Sequence, residues 1–228
     1  LIYFIRPNNS TLRLTKASFE LRQILQACAN GSSELMSNVS ASVVGIVYNF
    51  QLLKYLGENG ISAYGVLMYV QFIFIAIFVG YSIGCAPVVS FHFGAGNHSE
   101  LQSLLKKSTR IVGSLSIILT VLALTLANPL AKMFVGYDVE LLAITSHAFK
   151  IFSFSFLLAG FNIFASSFFT ALNNGVISAA ISFLRTLIFQ TSSVLILPLI
   201  LSVDGLWGAN VAAEIFAFVI SLAFLVAN

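Results

Sequence analysis

Across 228 residues the chain is 58% hydrophobic and only 8% charged, with 22 phenylalanines and a formal net charge of +3. An ordinary soluble domain carries roughly 25% charged residues, so this composition excludes one; without a basic array, nucleic-acid binding has no support either. The apolar residues come in runs of about 20 or more, long enough for a helix to cross a hydrocarbon layer of ~30 Å, and the expected class is an all-α, polytopic membrane protein.

At the amino end, LIYFIRPNNS has neither the charged start nor the small-residue cleavage site of a signal peptide, and it reads as the tail of an earlier span. The other end, AFVISLAFLVAN, stops on an apolar run, so the chain is expected to be a fragment of a longer protein. STLRLTKASFELRQIL reads either as a short amphipathic interfacial helix with Ser18 as a candidate cap or, the favoured reading of its charges, as a solvated basic linker.

Turn and charge signals then predict six spans, at roughly 24–56, 62–90, 104–132, 140–172, 175–201 and 206–228. Tight joints are read at GENG, ALNNG and SVDG, and longer polar ones at FHFGAGNHSELQSLLKK and FVGYDVE. Alternate joints, counted from the N-terminal segment, hold Arg6, Arg13, Lys16, Arg22, Lys106, Lys107 and Arg110. The others hold Lys54, Glu58, Lys132, Asp138, Glu140 and Asp204, so the first set is expected on the cytoplasmic side.

Span one contains NGSSELMSNVS, where leucine and valine would be expected. A carboxylate at the middle of a spanning helix costs about 2.5–3.5 kcal/mol on insertion scales, so it usually faces a partner or a hydrated cavity. Helical spacing puts Glu34, Ser37, Asn38, Ala41, Gly45, Tyr48 and Asn49 on one polar face, with Leu35, Val39, Val43, Ile46 and Phe50 on the other sides. Glu34 is thus a candidate to exchange a proton, a sodium ion or a cationic ligand; the bland reading is a protonated glutamate bonded to a neighbouring helix.

Later spans add further polar groups. Span two has Tyr64 and Gln71 on one face, then GYSIGCAP, where Gly80, Gly84 and Pro87 are expected to loosen the helix. Span four has Asn162, Ser166 and Thr170 at four-residue steps, more often interhelical glue than a site. Span five carries Arg185 with Ser178 and Ser182 on its face, set to snorkel or to pair with a carboxylate. Span six places Trp207, Asn210 and Glu214 on one face, with Trp207 expected in an interfacial aromatic belt. The candidate substrate- and ion-binding set is Glu34, Asn38, Tyr48, Asn49, Gln71, Asn162, Arg185, Asn210 and Glu214.

No other motif carries chemistry. Cys28 and Cys85 lack metal-ligand spacing, FGAGN lacks the lysine of a phosphate loop, and the flanking His92 and His98 lack a third ligand. No enzyme, metal or cofactor is expected.

Several segments together resemble a known family: NGSSELMSNVSASVVGIVYNFQLLKYLGENGISAYGV, GYSIGCAPVVSFHFGAGN, FFTALNNG and SFLRTLIFQ. In family order and spacing they resemble the C-terminal half of a multidrug and toxic compound extrusion (MATE) transporter of the bacterial type. The resemblance implies two six-helix lobes, of which residues 24–228 are the second, with residues 1–23 the end of a preceding helix plus a cytoplasmic inter-lobe linker. It implies sodium- or proton-coupled antiport of drugs or organic cations by alternating access, in the inner (cytoplasmic) membrane, with the N-terminal lobe, the bilayer and small organic cations as partners. Glu34 falls at an acidic position that many members use for coupling or substrate binding. One departure is that HAFKIFSFSFLLAGFNIFASSFF lacks the aspartate that some members carry there, which puts coupling through that residue in doubt. The alternatives are a lipid-linked oligosaccharide flippase of the same superfamily, which calls for a strongly cationic cavity, and a membrane scaffold that transports nothing.

Overall fold

A computed structural model describes residues 20–227, leaving aside the side chains of Ala29, Asn30 and Ser33; of the expected preceding span and linker, 1–23, residues 1–19 with Ser18 lie outside the described residues, and 21–23 are already part of the first helix. Helix Leu21–Gly94 contains one non-helical residue, Gly57 (φ 64°, ψ −150°), a conformation that essentially only glycine adopts without strain. The chain reverses there. Tyr48 and Tyr64 stack with ring centroids 4.6 Å apart, whereas sixteen residues of straight helix would separate them by ~24 Å. We therefore call 21–56 α1 and 58–94 α2.

Helix α3 is His98–Val135, α4 is Val139–Ser153, and α5 is Phe156–Ala171. The next helix, α6, covers 175–201 and has a π-helical middle at Leu184–Gln190. It reverses at Ser202 (φ 53°, ψ −130°) into α7, 203–227. Three stretches, Glu34–Gly94, His98–Val135 and Gly175–Ala227, are long and apolar enough to cross a membrane. The first and third each fold back once, and α4 with α5 forms one more span bent by 51°, which makes six crossings among the described residues.

The joints form for reasons visible in their residues. At the end of α2, Gly96 (φ 69°) takes the left-handed position, Asn97 N–H donates to the His92 carbonyl, and Gly96 N–H donates to Phe93. That is a Schellman ending. ALNNG repeats it with Asn173 (φ 58°): Asn174 N–H reaches Phe169 and Asn173 N–H reaches Thr170, while the Asn174 side chain accepts from Ile177 N–H and opens α6. Asp138 caps α4 by accepting from the N–H groups of Glu140 and Leu141.

These joints sort to two ends, as alternating crossings require. Ser90 of α2 bonds the Ala171 carbonyl at one end; Tyr55 of α1 bonds the Pro198 carbonyl, and His147 of α4 pairs with Asp204 at 2.7 Å, at the other.

Aromatic side chains fill the interior between α2 and the α4–α5 span. Phe74 stacks on Phe156 at 5.0 Å, Tyr81 meets Phe164, and the Phe78 ring occupies the notch left by Gly160. On α3 the buried residues Ser108, Val112, Ser116, Thr120, Ala123, Ala127 and Ala131 recur every three or four positions, a stripe of mostly small side chains that lets helices approach closely. Large apolar residues face outward, among them Phe50, Phe72, Ile73 and Leu199, as suits a surface that meets lipid.

Two expectations need correction. GYSIGCAP does not break α2: the non-helical residue within Leu21–Gly94 is Gly57, ahead of α2 and far from Pro87, and α2 passes through its glycines and proline intact. Trp207 is not an interfacial belt residue, because it is 1% exposed inside the core. The α6–α7 reversal brings Gly205 onto the backbone at Leu197 and Pro198, and this close approach draws the following turn of α7 inward.

Candidate functional site

Arg185 and Glu214 meet near mid-depth of the bundle. Arg185 lies ten residues past the start of α6 at Gly175, about 15 Å along the helix, and Glu214 twelve residues past the reversal at Ser202, about 18 Å. Arg185 Nη2 donates to Glu214 Oε1 at 2.6 Å, and Nε donates to Oε1 and Oε2 at 3.0 and 3.1 Å. Asn162 of α5 completes the carboxylate's shell: its Nδ2 donates to Oε2 at 2.7 Å and to the Glu214 backbone carbonyl at 3.0 Å. Its own Oδ1 is buried with no hydrogen-bond partner among the described residues.

The backbone is shaped to make this pair. One full α-turn beside it, Gln190 Nε2 donates to Asn210 Oδ1 at 2.9 Å. The partners on α7, Asn210 and Glu214, are four residues apart and share a helix face. Those on α6, Arg185 and Gln190, are five apart, which on an α-helix would leave them about 140° out of line. A π turn bonds i to i+5 and brings residues five apart back to one side. The Leu184–Gln190 π segment is therefore what allows both contacts at once.

A hydroxyl cluster lies on the ALNNG side of this pair. Ser166 of α5 bonds Ser178 and Ser182 of α6 at 2.9 and 3.0 Å, and Thr170 bonds Ser178 at 2.6 Å. These groups join α5 to α6. Toward the opposite end, buried Tyr48 donates to the Leu206 carbonyl at 3.2 Å, tying α1 to α7.

Glu34 is placed quite differently. Its side chain is exposed, as are Asn38 and Asn49, and Asn38 Nδ2 donates to the Glu34 backbone carbonyl at 2.8 Å. Its carboxylate makes no ion pair among the described residues. The expected polar stripe divides: Tyr48 belongs to a buried line with Ser40, Val44 and Leu52, while Glu34 and Asn38 lie on a portion of α1 with no buried side chain among those described. Glu34 also lies 23 residues before Gly57, about 34 Å along the helix, which reaches the far edge of a ~30 Å hydrocarbon layer. It is an edge residue, and Glu214 is the deep one.

Of the sequence candidates, the fold brings together Asn162, Arg185 and Glu214, with Asn210 one turn away. It sets Tyr48 against α7 near Leu206, leaves Gln71 half-buried on α2, and keeps Glu34, Asn38 and Asn49 on the outer face of α1. Sequence reading missed Gln190, whose contact depends on the π turn; a polar residue five positions after an intramembrane arginine was the available signal.

A six-crossing helical bundle with a charge-balanced pair at mid-depth defines a polytopic membrane protein that keeps ionisable groups in its interior. The model of the MatE family matches residues 34–196, and the chain belongs to that family. No curated protein matches it. Its fold is that of MATE transporters. A structure of MATE in complex with MaL6 superposes with a TM-score of 0.86 at 17% identity, covering 95% of this chain and 49% of the other. An outward-facing multidrug resistance MATE family transporter of the MOP superfamily gives 0.85 at 18%, with coverage of 95% and 49%. A MOP superfamily transporter from Pyrococcus furiosus, described as having a binding pocket of reverse polarity that suggests a different function, gives 0.83 at 20%, with coverage of 96% and 51%. The chain spans about half the length of the structures it matches.

Proposed function

We propose that this chain is the second lobe of a sodium- or proton-coupled antiporter that exports organic cations by alternating access, working with a first lobe in the cytoplasmic membrane. The carrying observation is the contrast between two carboxylates. Glu214 is already neutralised by Arg185, whereas Glu34 is exposed and makes no ion pair among the described residues. An unneutralised carboxylate on the open face of a lobe attracts cations, and Asn38 and Asn49 give that face further polar groups. In this reading Glu34 is the cation-binding group, and the first turns of α3, which bear Lys106, Lys107 and Arg110, lie on the cytoplasmic side.

The flippase alternative needs cationic side chains free to hold pyrophosphate. Arg185, the only lysine or arginine among the described residues that is not exposed, spends its charge on Glu214, which disfavours that reading.

The test is efflux of a fluorescent organic cation by the full-length transporter, with and without a sodium gradient and with a proton uncoupler. Gradient-driven efflux is expected in the wild type and its loss in Glu34→Gln. Efflux unaffected by Glu34→Gln would place cation binding elsewhere.

A further inference from the structure

We propose that Arg185 is a tethered counter-cation, which fills the cation position of a Glu214–Asn162 pocket and so reserves that carboxylate from mobile ions and cationic substrates. The proposal rests on the Glu34 reading above, because it explains why only one of two carboxylates in this lobe exchanges cations.

The pocket has the donors a small cation would use. Both Glu214 carboxylate oxygens converge on Arg185, Asn162 Nδ2 donates to Oε2, and the Asn162 Oδ1 is buried with no hydrogen-bond partner among the described residues. Arg185 holds the position with three contacts at 2.6 to 3.1 Å. A guanidinium is planar and presents its donors as a rigid fork that matches a carboxylate, so the occupant is held by geometry as well as by charge.

Covalent attachment also favours it over any mobile rival. A tethered group acts at an effective concentration of at least about millimolar, and a seated one at more. The π turn supplies the seating. With Gln190 held by Asn210, the winding of Leu184–Gln190 aims Arg185 at Glu214. The Arg185 side chain is 20% exposed and that of Glu214 6%, so the carboxylate is the more deeply buried partner.

The test uses purified full-length transporter and two probes, 22Na+ and tritiated tetraphenylphosphonium, in equilibrium binding. In Glu34→Gln, binding is expected to be lost. Adding Arg185→Gln should restore saturable binding of at least one probe, and a third change, Glu214→Gln, should abolish it again. A structural tie between α6 and α7 predicts no such gain.

Arg185→Met gives a second background without the cation in case Arg185→Gln does not fold, and saturable binding, again removed by Glu214→Gln, is expected there. No gain in either folded background overturns the proposal, and so does wild-type binding that Glu214→Gln removes. Should Glu34→Gln leave wild-type binding intact, the Glu34 reading fails by itself; the tethered-cation proposal then stands or falls on the increment that Arg185→Gln adds and Glu214→Gln takes away.

Discussion

Arg185→Ala leaves a buried carboxylate without its cation, whereas Arg185→Gln combined with Glu214→Gln leaves two neutral groups able to hydrogen-bond. Breaking one side of a buried pair typically costs about 3–5 kcal/mol, while replacing both sides is often close to neutral. The single variant should therefore melt well below wild type in detergent, and the double variant near it, as followed by thermal unfolding. His147 and Asp204 make the opposite case: their side chains are 56% and 58% exposed, so His147→Ala should shift stability by less than about 1 kcal/mol. At this scale the sequence disclosed the intramembrane charges by chemistry alone. It could not choose between snorkelling and pairing for Arg185, because that depends on which face of α7 lies opposite.

The helices and joints were legible where a single residue determines backbone geometry. Gly57 takes a positive-φ conformation that glycine adopts without a steric penalty, and in ALNNG the first asparagine ends one helix while the second caps the next. Less legible were features set by a neighbour. Ser153 bonds its hydroxyl back to the Phe149 carbonyl at 2.6 Å beside the bend that separates α4 from α5, a competition with the helix ladder that bends helices. The π turn likewise belongs to the pairing of α6 with α7 rather than to SFLRTLIFQ itself. A Cβ on Gly205 would meet the Pro198 backbone nitrogen at 2.8 Å, whereas one on Gly208 would meet only an Ile151 methyl at 3.9 Å. Gly205→Ala should accordingly lower the melting temperature and the yield of folded protein, and Gly208→Ala should not.

For the molecule as a whole, the charge pattern makes a prediction about sidedness. With Cys28 and Cys85 replaced by serine, Asn97→Cys in the α2–α3 joint should react with an impermeant maleimide only from the cytoplasmic face. Tyr137→Cys, at an exposed position in the α3–α4 joint, should react only from the opposite face. The reverse pattern would invert the topology.

Composition and run length alone determined that this protein crosses a membrane repeatedly, because a helix with few charges and some twenty apolar residues is better solvated by hydrocarbon than by water. Turn residues determined where it reverses, since left-handed backbone and caps are local properties. Only the tertiary structure decided which polar residues meet. Tyr48 turned inward to α7, Trp207 joined the core, and Glu34 stayed at the edge while Glu214 found Arg185 and Asn162. One apolar stripe resembles another in sequence, and helix rotation, a π turn and a reversal at Ser202 fix which faces pack together, outcomes that follow from how the helices fit and not from any single helix.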